Sequence, residues 1–257
     1  MRHWLWAALG LCGCTNIIFP APVPMRAVDY PAKKEPAKCL VVFLPGMGDE
    51  AEDFSKNGLV QEVLHRGLSI DVVAANATFG YYTRGIFSER LATDVMAPRT
   101  TRGYEQVWLI GNSMGGFGTL FYSRQHTTEI TGVLALSPYL GEDDLIDEIY
   151  AAGGLHQWKA PARVEKMTDD NYQRELMRWL QAVTSGKEPS PNLYLGFGDK
   201  DKLRRADELL AAVVPADHLY RDPGAHEWDS WHRLLTKFLD QGPLASSCRA
   251  EAPPATP

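Results

Sequence analysis

The sequence lacks several features that would each point to a class of protein. Its formal net charge is −6, so it has no excess of positive charge with which to bind nucleic acid. It has no internal repeat, which argues against a solenoid or propeller. Cysteine is scarce, at 4 residues in 257. The longest apolar run near the N-terminus, residues 4–11, is too short to span a bilayer. What is left is an ordinary globular composition, 45% hydrophobic and 23% charged, of a length that suits one domain.

The first fourteen residues have the pattern of an export signal. A short positive region, Met1-Arg2-His3, precedes the apolar run, which has the length of a signal-peptide core. The next residues, Leu11-Cys12-Gly13-Cys14, resemble the lipobox of bacterial lipoproteins, in which the peptide is cut before a cysteine that then carries lipid. We therefore expect a signal peptide at residues 1–13 and a lipid anchor on Cys14. Such an anchor would hold the protein at a membrane of the cell envelope, on its periplasmic or outer-membrane face. An ordinary secretory signal with an incidental cysteine is the alternative.

Both ends of the chain differ in composition from its middle. Residues 16–36 contain five prolines and little periodicity, so we predict that residues 14–37 form an extended, lipidated tether. Residues 241–257 are rich in Ala, Pro and Ser, and we predict a flexible tail. The domain proper is expected at residues 38–240.

Two cysteines remain in the rest of the chain. Cys39 opens the first strong strand pattern, and Cys248 follows the last predicted helix. In a parallel α/β sheet these two positions fall near the same edge, and an exported protein can oxidise such a pair. A disulfide and two free thiols are both open from the sequence.

Strand-like apolar runs alternate with helical patterns through the domain. The run Cys39–Leu44 is continuously apolar, which is typical of a strand buried on both faces. Further strands are predicted near residues 70–74, 107–110, 132–136, 192–197 and 218–221. This alternation predicts an α/β fold with a mostly parallel central sheet flanked by helices. Residues 138–191 interrupt it, and we predict a small helical excursion over the strand tips there.

The segment Gly111-Asn112-Ser113-Met114-Gly115 matches G-x-S-x-G between a predicted strand and a predicted helix. In that context the motif marks a nucleophilic serine on a sharp turn. Small flanking residues allow the turn, and the N-terminus of the following helix favours negative charge near the hydroxyl. The pattern indicates Ser113 as a nucleophile, the alternative being a glycine-rich turn with a solvated serine.

A serine nucleophile needs a base, and the base needs an acid to orient it. His226 alone among the histidines after Ser113 lies between the last predicted strand and the last predicted helix, where this architecture places the base. For the acid, Asp199 and Asp201 both follow the strand that ends near Phe197. The aspartate of this pair that does not orient the base is expected to cap the helix that follows.

Acyl transfer also requires backbone N–H groups that bind the oxyanion. Met114, the residue after the nucleophile, supplies one of them. The loop after the first long strand, Gly46-Met47-Gly48, offers the N–H of Met47 as the second. A plain turn, with its glycines serving geometry only, is the alternative for this loop.

Four motifs together resemble the α/β-hydrolase superfamily. They are Leu44-Pro45-Gly46-Met47-Gly48, Gly111-Asn112-Ser113-Met114-Gly115-Gly116, Gly198-x-x-Asp201 and Gly224-Ala225-His226-Glu227-Trp228. Two of these motifs are most similar to the esterase branch of the superfamily, namely the strand-to-helix turn around Ser113 (the elbow) and the glycine–histidine turn around His226. That branch includes esterase D, S-formylglutathione hydrolases and mycolyltransferase-like proteins. The G-x-x-D spacing, usual in that family, favours Asp201 over Asp199. Pro45 departs from the family, in which many members have histidine there.

The resemblance covers about residues 38–240 and implies an eight-stranded sheet or a trimmed version, with no metal and no cofactor. It implies a serine hydrolase that cleaves carboxylic esters through Ser113, His226 and Asp201, with an acyl-enzyme intermediate. An acyltransferase with a lipid or sugar acceptor would use the same triad, and a non-catalytic envelope lipoprotein on a hydrolase scaffold is the third hypothesis. Aromatic and apolar candidates for the pocket wall suit a small-molecule or lipid ester; they are Phe79, Tyr81, Tyr82, Tyr139, Leu140, Trp158, Trp228 and Trp231.

Overall fold

The computed structural model describes residues 19–33, 36–166, 168 and 170–249. The predicted signal peptide at residues 1–13, the predicted lipid site at Cys14 and the last residues of the chain lie outside these ranges. Among the described residues, no helix combines the length and the apolar character that crossing a bilayer requires.

In the described part of the chain, a seven-stranded sheet forms the centre, in the order β1-β3-β2-β4-β5-β6-β7. The strands are β1 (Ala27–Tyr30), β2 (Cys39–Leu44), β3 (Ile70–Ala75), β4 (Gln106–Asn112), β5 (Gly132–Leu136), β6 (Asn192–Gly198) and β7 (Leu219–Asp222). β2 to β7 run parallel, and β1 pairs antiparallel with β3. The predicted mostly parallel α/β sheet is therefore confirmed, in the trimmed form.

The helices cover both faces of this sheet. They are α1 (Asp53–Lys56), α2 (Leu59–Leu64), α3 (Phe79–Thr83), α4 (Phe87–Arg90), α5 (Ala97–Thr100), α6 (Met114–Gln125), α7 (Asp143–Ala151), α8 (Tyr172–Thr184), α9 (Arg204–Ala211), α10 (Trp228–Gln241) and α11 (Leu244–Ser247), with a π-helical segment at Leu91–Met96 and a 3₁₀ turn at Ala216–His218. α1, α2 and α10 pack on one face, while α4, α6, α8 and α9 pack on the other. The position of β2 explains why its sequence is apolar throughout, because both of its faces are buried. Val42 packs in the core on one face of the sheet, and Val41 and Phe43 pack in the core on the other. The excursion at 138–191 contains α7 and α8.

The predicted tether is wrong for part of its length. Residues 27–30, inside the predicted 14–37 tether, form β1, and Ala27 pairs with Ala75 while Tyr30 pairs with Val72. The physical reason is the outer edge of β3, whose backbone groups need hydrogen-bond partners. Because β1 is antiparallel to β3, the chain enters the domain at the carboxyl-end edge of the parallel strands.

The predicted flexible tail from 241 is also wrong for its described part. Residues 244–247 form α11, in which Leu244 is buried, and the N–H of Ser69 donates to the carbonyl of Cys248. A disulfide joins Cys248 to Cys39, with the sulfurs 2.05 Å apart. The covalent link and the buried leucine hold this segment against the amino-end edge of the sheet, which its composition did not reveal.

Candidate active site

Ser113 follows β4 on a sharp turn. Its backbone has φ 54° and ψ −116°, a sterically costly conformation for a residue with a Cβ atom. Glycine makes the turn possible, since a Cβ at Gly115 would lie 1.9 Å from the carbonyl oxygen of Leu44. The N–H of Ser113 donates to the carbonyl of Leu136 on the neighbouring strand β5, at 2.9 Å. The turn thus fixes the serine at the carboxyl end of the sheet, as the sequence motif predicts.

His226 and Asp201 meet at the same edge of the sheet. The Nδ1 atom of His226 lies 2.9 Å from Oδ1 and 3.0 Å from Oδ2 of Asp201. The Asp201 side chain is fully buried, and that of His226 is 11% exposed. Asp199 is instead exposed on the surface, 3.7 Å from Arg221. Asp201 also accepts from the N–H of Leu203 at 2.8 Å, so it is this residue that caps the following turn.

The environment of Asp201 keeps it ionised. Burial alone would raise the pKa of this carboxyl, but hydrogen bonds from His226, the Ser137 hydroxyl and the Leu203 N–H outweigh that effect and lower it. A carboxylate on Nδ1 holds the proton of neutral imidazole there and leaves Nε2 to act as a base. Ser137, at φ 44°, also accepts from the indole N–H of Trp231 at 3.2 Å.

The loop that carries Asp201 and the loop that carries His226 are joined by hydrogen bonds between their backbones. The N–H of Asp199 donates to the carbonyl of Asp222 at 2.7 Å, and that of Lys200 donates to Gly224 at 2.9 Å. The carboxylate of Asp222 in turn accepts from the N–H of Gly224 and from Ser230 and Arg233. These bonds, that of Arg233 foremost, lower the pKa of Asp222 to about 2. The Asp201–His226 pair is therefore held by loops that are fixed to each other.

Ser113 and His226 are not hydrogen-bonded to each other in the structure, although a serine nucleophile and its base have to come within hydrogen-bond reach for the reaction. No hydrogen bond joins Oγ of Ser113 to His226, although both residues are described. In free enzymes this bond is often long and tightens when substrate binds. His226 is packed edge-on against Trp231, with ring centroids 5.0 Å apart, so its ring orientation is set by that indole and by Asp201.

The two predicted oxyanion donors flank the serine. Met114 begins α6, and Met47 lies on the turn that the Asp49 N–H closes onto the Gly46 carbonyl at 3.2 Å. Within the described chain, the N–H groups of Met47 and Met114 have no protein acceptor. A Cβ at Gly46 would lie 3.4 Å from Cβ of Ser113, so this loop packs directly against the nucleophile.

An aromatic cavity of about 420 Å³ opens beside Met114. Its lining consists of Phe79, Tyr82, Thr83, Gly85, Phe87, Ser88, Met114, Phe117, Phe121, Thr168 and Tyr172. Of the wall residues predicted from sequence, Phe79 and Tyr82 line it. Tyr81 and Trp158 are buried in the core. Trp228 packs edge-to-face on Trp231, which in turn packs on His226.

Several contributing residues were missed from the sequence. Phe117 and Phe121 lie four apart on α6 and so share one face, a helical spacing that predicts a common wall. Ser137 directly follows β5, and its position at the carboxyl end of a parallel strand is a signal from which a site residue could have been predicted. Asp49 and Asp222 gave no signal, because their partners come from distant parts of the chain.

Comparison with known proteins agrees with this architecture. A family model described as putative esterase matches residues 71–241. The S-formylglutathione hydrolase of Staphylococcus aureus superposes with a TM-score of 0.57 at 13% identity, covering 86% of this chain and 96% of that one. Est1E from Butyrivibrio proteoclasticus superposes with a TM-score of 0.58 at 20% identity, covering 84% of this chain and 94% of that one. An S-formylglutathione hydrolase from Agrobacterium tumefaciens superposes with a TM-score of 0.58 at 13% identity, covering 87% of this chain and 90% of that one.

At such identities the solved structures show a shared fold, and no curated protein sequence matches the chain. The family model carries the assignment, because it spans most of the domain, from β3 through the elbow to α10. The chain therefore belongs to the putative esterase family and is a serine esterase of the α/β-hydrolase type.

Proposed function

We propose that the protein hydrolyses carboxylic esters with Ser113 as nucleophile, His226 as general base and acid, and Asp201 as the residue that orients the imidazole. The observation that carries this proposal is the His226–Asp201 contact, at 2.9 Å, beside a serine held on a strained turn. In the alternative assignment Asp199 would orient the base, but Asp199 is exposed and lies beside Arg221.

The steps follow from these positions. Nε2 of His226 accepts the hydroxyl proton as Oγ of Ser113 attacks the ester carbonyl, and the N–H groups of Met47 and Met114 hold the oxyanion. An oxyanion donor is typically worth about 3 kcal/mol of transition-state stabilisation. His226 then protonates the departing alcohol, which leaves an acyl group on Ser113. Water attacks this acyl-enzyme with His226 again as base, and the acid is released.

The cavity beside Met114 supports an apolar acyl group as the part of the substrate that enters the protein. Phe117, Phe121 and Tyr172 give it an aromatic wall, which suits aryl or acyl chains more than charged groups. Relatives of the same fold include a protein described as a ferulic acid esterase, whose name indicates an aromatic acyl group. An aryl or medium-chain acyl ester is accordingly the substrate class that we propose.

Four variants test the assignment with a short p-nitrophenyl ester and a fluorophosphonate probe. We expect Ser113→Ala and His226→Ala to lose roughly 10³-fold or more in kcat, because acylation through serine is removed. Asp201→Asn should fall by a similar factor, while the matched variant Asp199→Asn should remain close to the wild type. Probe labelling should disappear in Ser113→Ala. Full activity of Ser113→Ala, or a loss in Asp199→Asn that exceeds that in Asp201→Asn, would contradict the proposed roles.

A further inference from the structure

Asp49 places a carboxylate beside the proposed nucleophile. It ends the turn at residues 46–49, which carries the proposed oxyanion donor Met47 (the oxyanion loop). A Cβ atom built on Gly46 would lie 2.9 Å from Oδ2 of Asp49 and 3.4 Å from Cβ of Ser113, so both side chains border the same glycine. The amide of Asn112 points at the same oxygen, at 3.4 Å. Asp49 is half-buried, so this group faces the site and is not freely solvated.

This carboxylate lacks the arginine partners that two other inward-facing carboxylates have. Glu175 is paired with Arg124 and Arg178, and Asp222 with Arg233. In the described part of the chain no lysine or arginine lies within ion-pair distance of Asp49. Burial raises the pKa of Asp49, and the hydrogen bond from the Asn112 amide lowers it. The charge of Asp53 also raises this pKa, whereas Trp228 and the charge of His226 lower it.

The residues around Asp49 and Trp228 point to the alcohol side of the reaction. His226 delivers its proton to the departing alcohol. Trp228 packs edge-to-face on Trp231 with ring centroids 5.3 Å apart, and Trp231 packs in the same way on His226 at 5.0 Å. The charge of His226 and the Trp228 side chain both lower the pKa of Asp49. The aromatic cavity shares none of these residues. A negative charge at this position opposes the developing oxyanion, and a positive charge on the alcohol would offset that repulsion. The face of a partly exposed tryptophan adds attraction for a quaternary ammonium group.

We propose that Asp49 and Trp228 form a cation-recognising subsite for the alcohol portion of the substrate, so that esters of amino alcohols are preferred over neutral esters of the same shape. The proposal rests on the esterase function proposed for Ser113. Asp49 acts on the substrate's charge and takes no part in proton transfer.

The test compares acetylcholine with its neutral carbon isostere, dimethylbutyl acetate. We expect the full-length wild-type protein to show a kcat/KM about tenfold higher for the cationic ester, since each factor of ten needs only a modest electrostatic gain. Asp49→Asn should bring the ratio close to one, and Asp49→Glu, which keeps the charge, should retain a preference for the cation. Glu50→Gln removes the same charge from the exposed neighbouring residue and should keep the wild-type ratio.

The neutral ester serves as the internal reference for folding and for the oxyanion loop. If Asp49→Asn lowers both rates equally, or if the wild type shows no preference, the cation subsite is overturned while ester hydrolysis stands. If the wild type hydrolyses neither these esters nor p-nitrophenyl esters, the function proposed for Ser113 fails first. A wild-type ratio that is lost equally in Glu50→Gln would also overturn the subsite, because it would reflect general surface charge.

Discussion

The carboxyl group of Asp207 lies inside the fold on α9 without any hydrogen-bond partner among the described residues. The residue is completely buried, and burial, followed by the charge of Asp201, raises its pKa well above the ordinary value of 3.8. Burial therefore favours the neutral form of this carboxyl, which is the less costly form in an apolar environment.

A raised pKa in the folded state has a defined sign for stability. In the unfolded chain the pKa of Asp207 is near 3.8, whereas folding raises it, so stability falls as pH rises from about 3.8 through the folded-state pKa. We expect Asp207→Asn, which cannot ionise, to have a Tm about 3–8 °C above the wild type at about pH 7.5, and a smaller advantage at about pH 4.5. Thermal unfolding of both proteins at the two pH values measures this. The exposed Asp217→Asn is the control, and an advantage of Asp207→Asn that does not change with pH would contradict the assignment.

At the scale of elements, the disulfide joins the residue that follows α11 to the first residue of β2. The bridge closes a loop with a sequence separation of 209 residues, and both cysteines are fully buried. In the chain-entropy account, a cross-link over so long a loop restricts the unfolded chain strongly. The same bridge fits the export predicted from the N-terminus, because such pairs persist outside the reducing cytosol.

We expect the double variant Cys39→Ser/Cys248→Ser to lose about 2–4 kcal/mol of unfolding free energy. Denaturant titration of the wild type, with and without a thiol reductant, should reproduce the difference. The reductant should leave the double variant unchanged, which separates the bridge from other effects. Equal stability of the reduced and oxidised wild type would show that the bridge contributes nothing.

The parallel elements could be predicted because local pattern decides them. A continuously apolar run such as β2 fits a strand covered on both sides, and the glycine-flanked Ser113 fits a strand-to-helix turn. β1 and α11 could not be predicted, since each is stabilised by a distant partner, the free edge of β3 and Cys39. The same holds for the site: Ser113 and His226 follow from motif and topological order, whereas Ser137, Asp222 and Asp49 depend on contacts between loops far apart in sequence.

For the whole molecule, we propose export and attachment to a membrane of the cell envelope through lipid on Cys14. The support is the lipobox-like sequence Leu11-Cys12-Gly13-Cys14 after a short apolar run. We expect the wild type, produced in a bacterial host, to fractionate with membranes and to partition into detergent. Cys14→Ser should instead remain at its uncleaved mass or appear in the soluble fraction. The matched variant Cys12→Ser should behave as the wild type, and equal fractionation of Cys14→Ser and wild type would refute the anchor.

The antiparallel direction of β1 has a practical consequence for experiments on this protein. The chain from Phe19 to Arg26 lies along α3, where the hydroxyl of Tyr81 donates to the carbonyl of Pro22 and Phe19 packs on Phe79 of the aromatic cavity. A fusion partner or affinity tag placed just before residue 19 would therefore begin next to Phe79, a wall residue of the aromatic cavity. The described part of the chain ends at the far edge of the sheet, where Arg249 forms a β-bridge with Leu68, so a tag fused directly after residue 249 would begin away from the cavity.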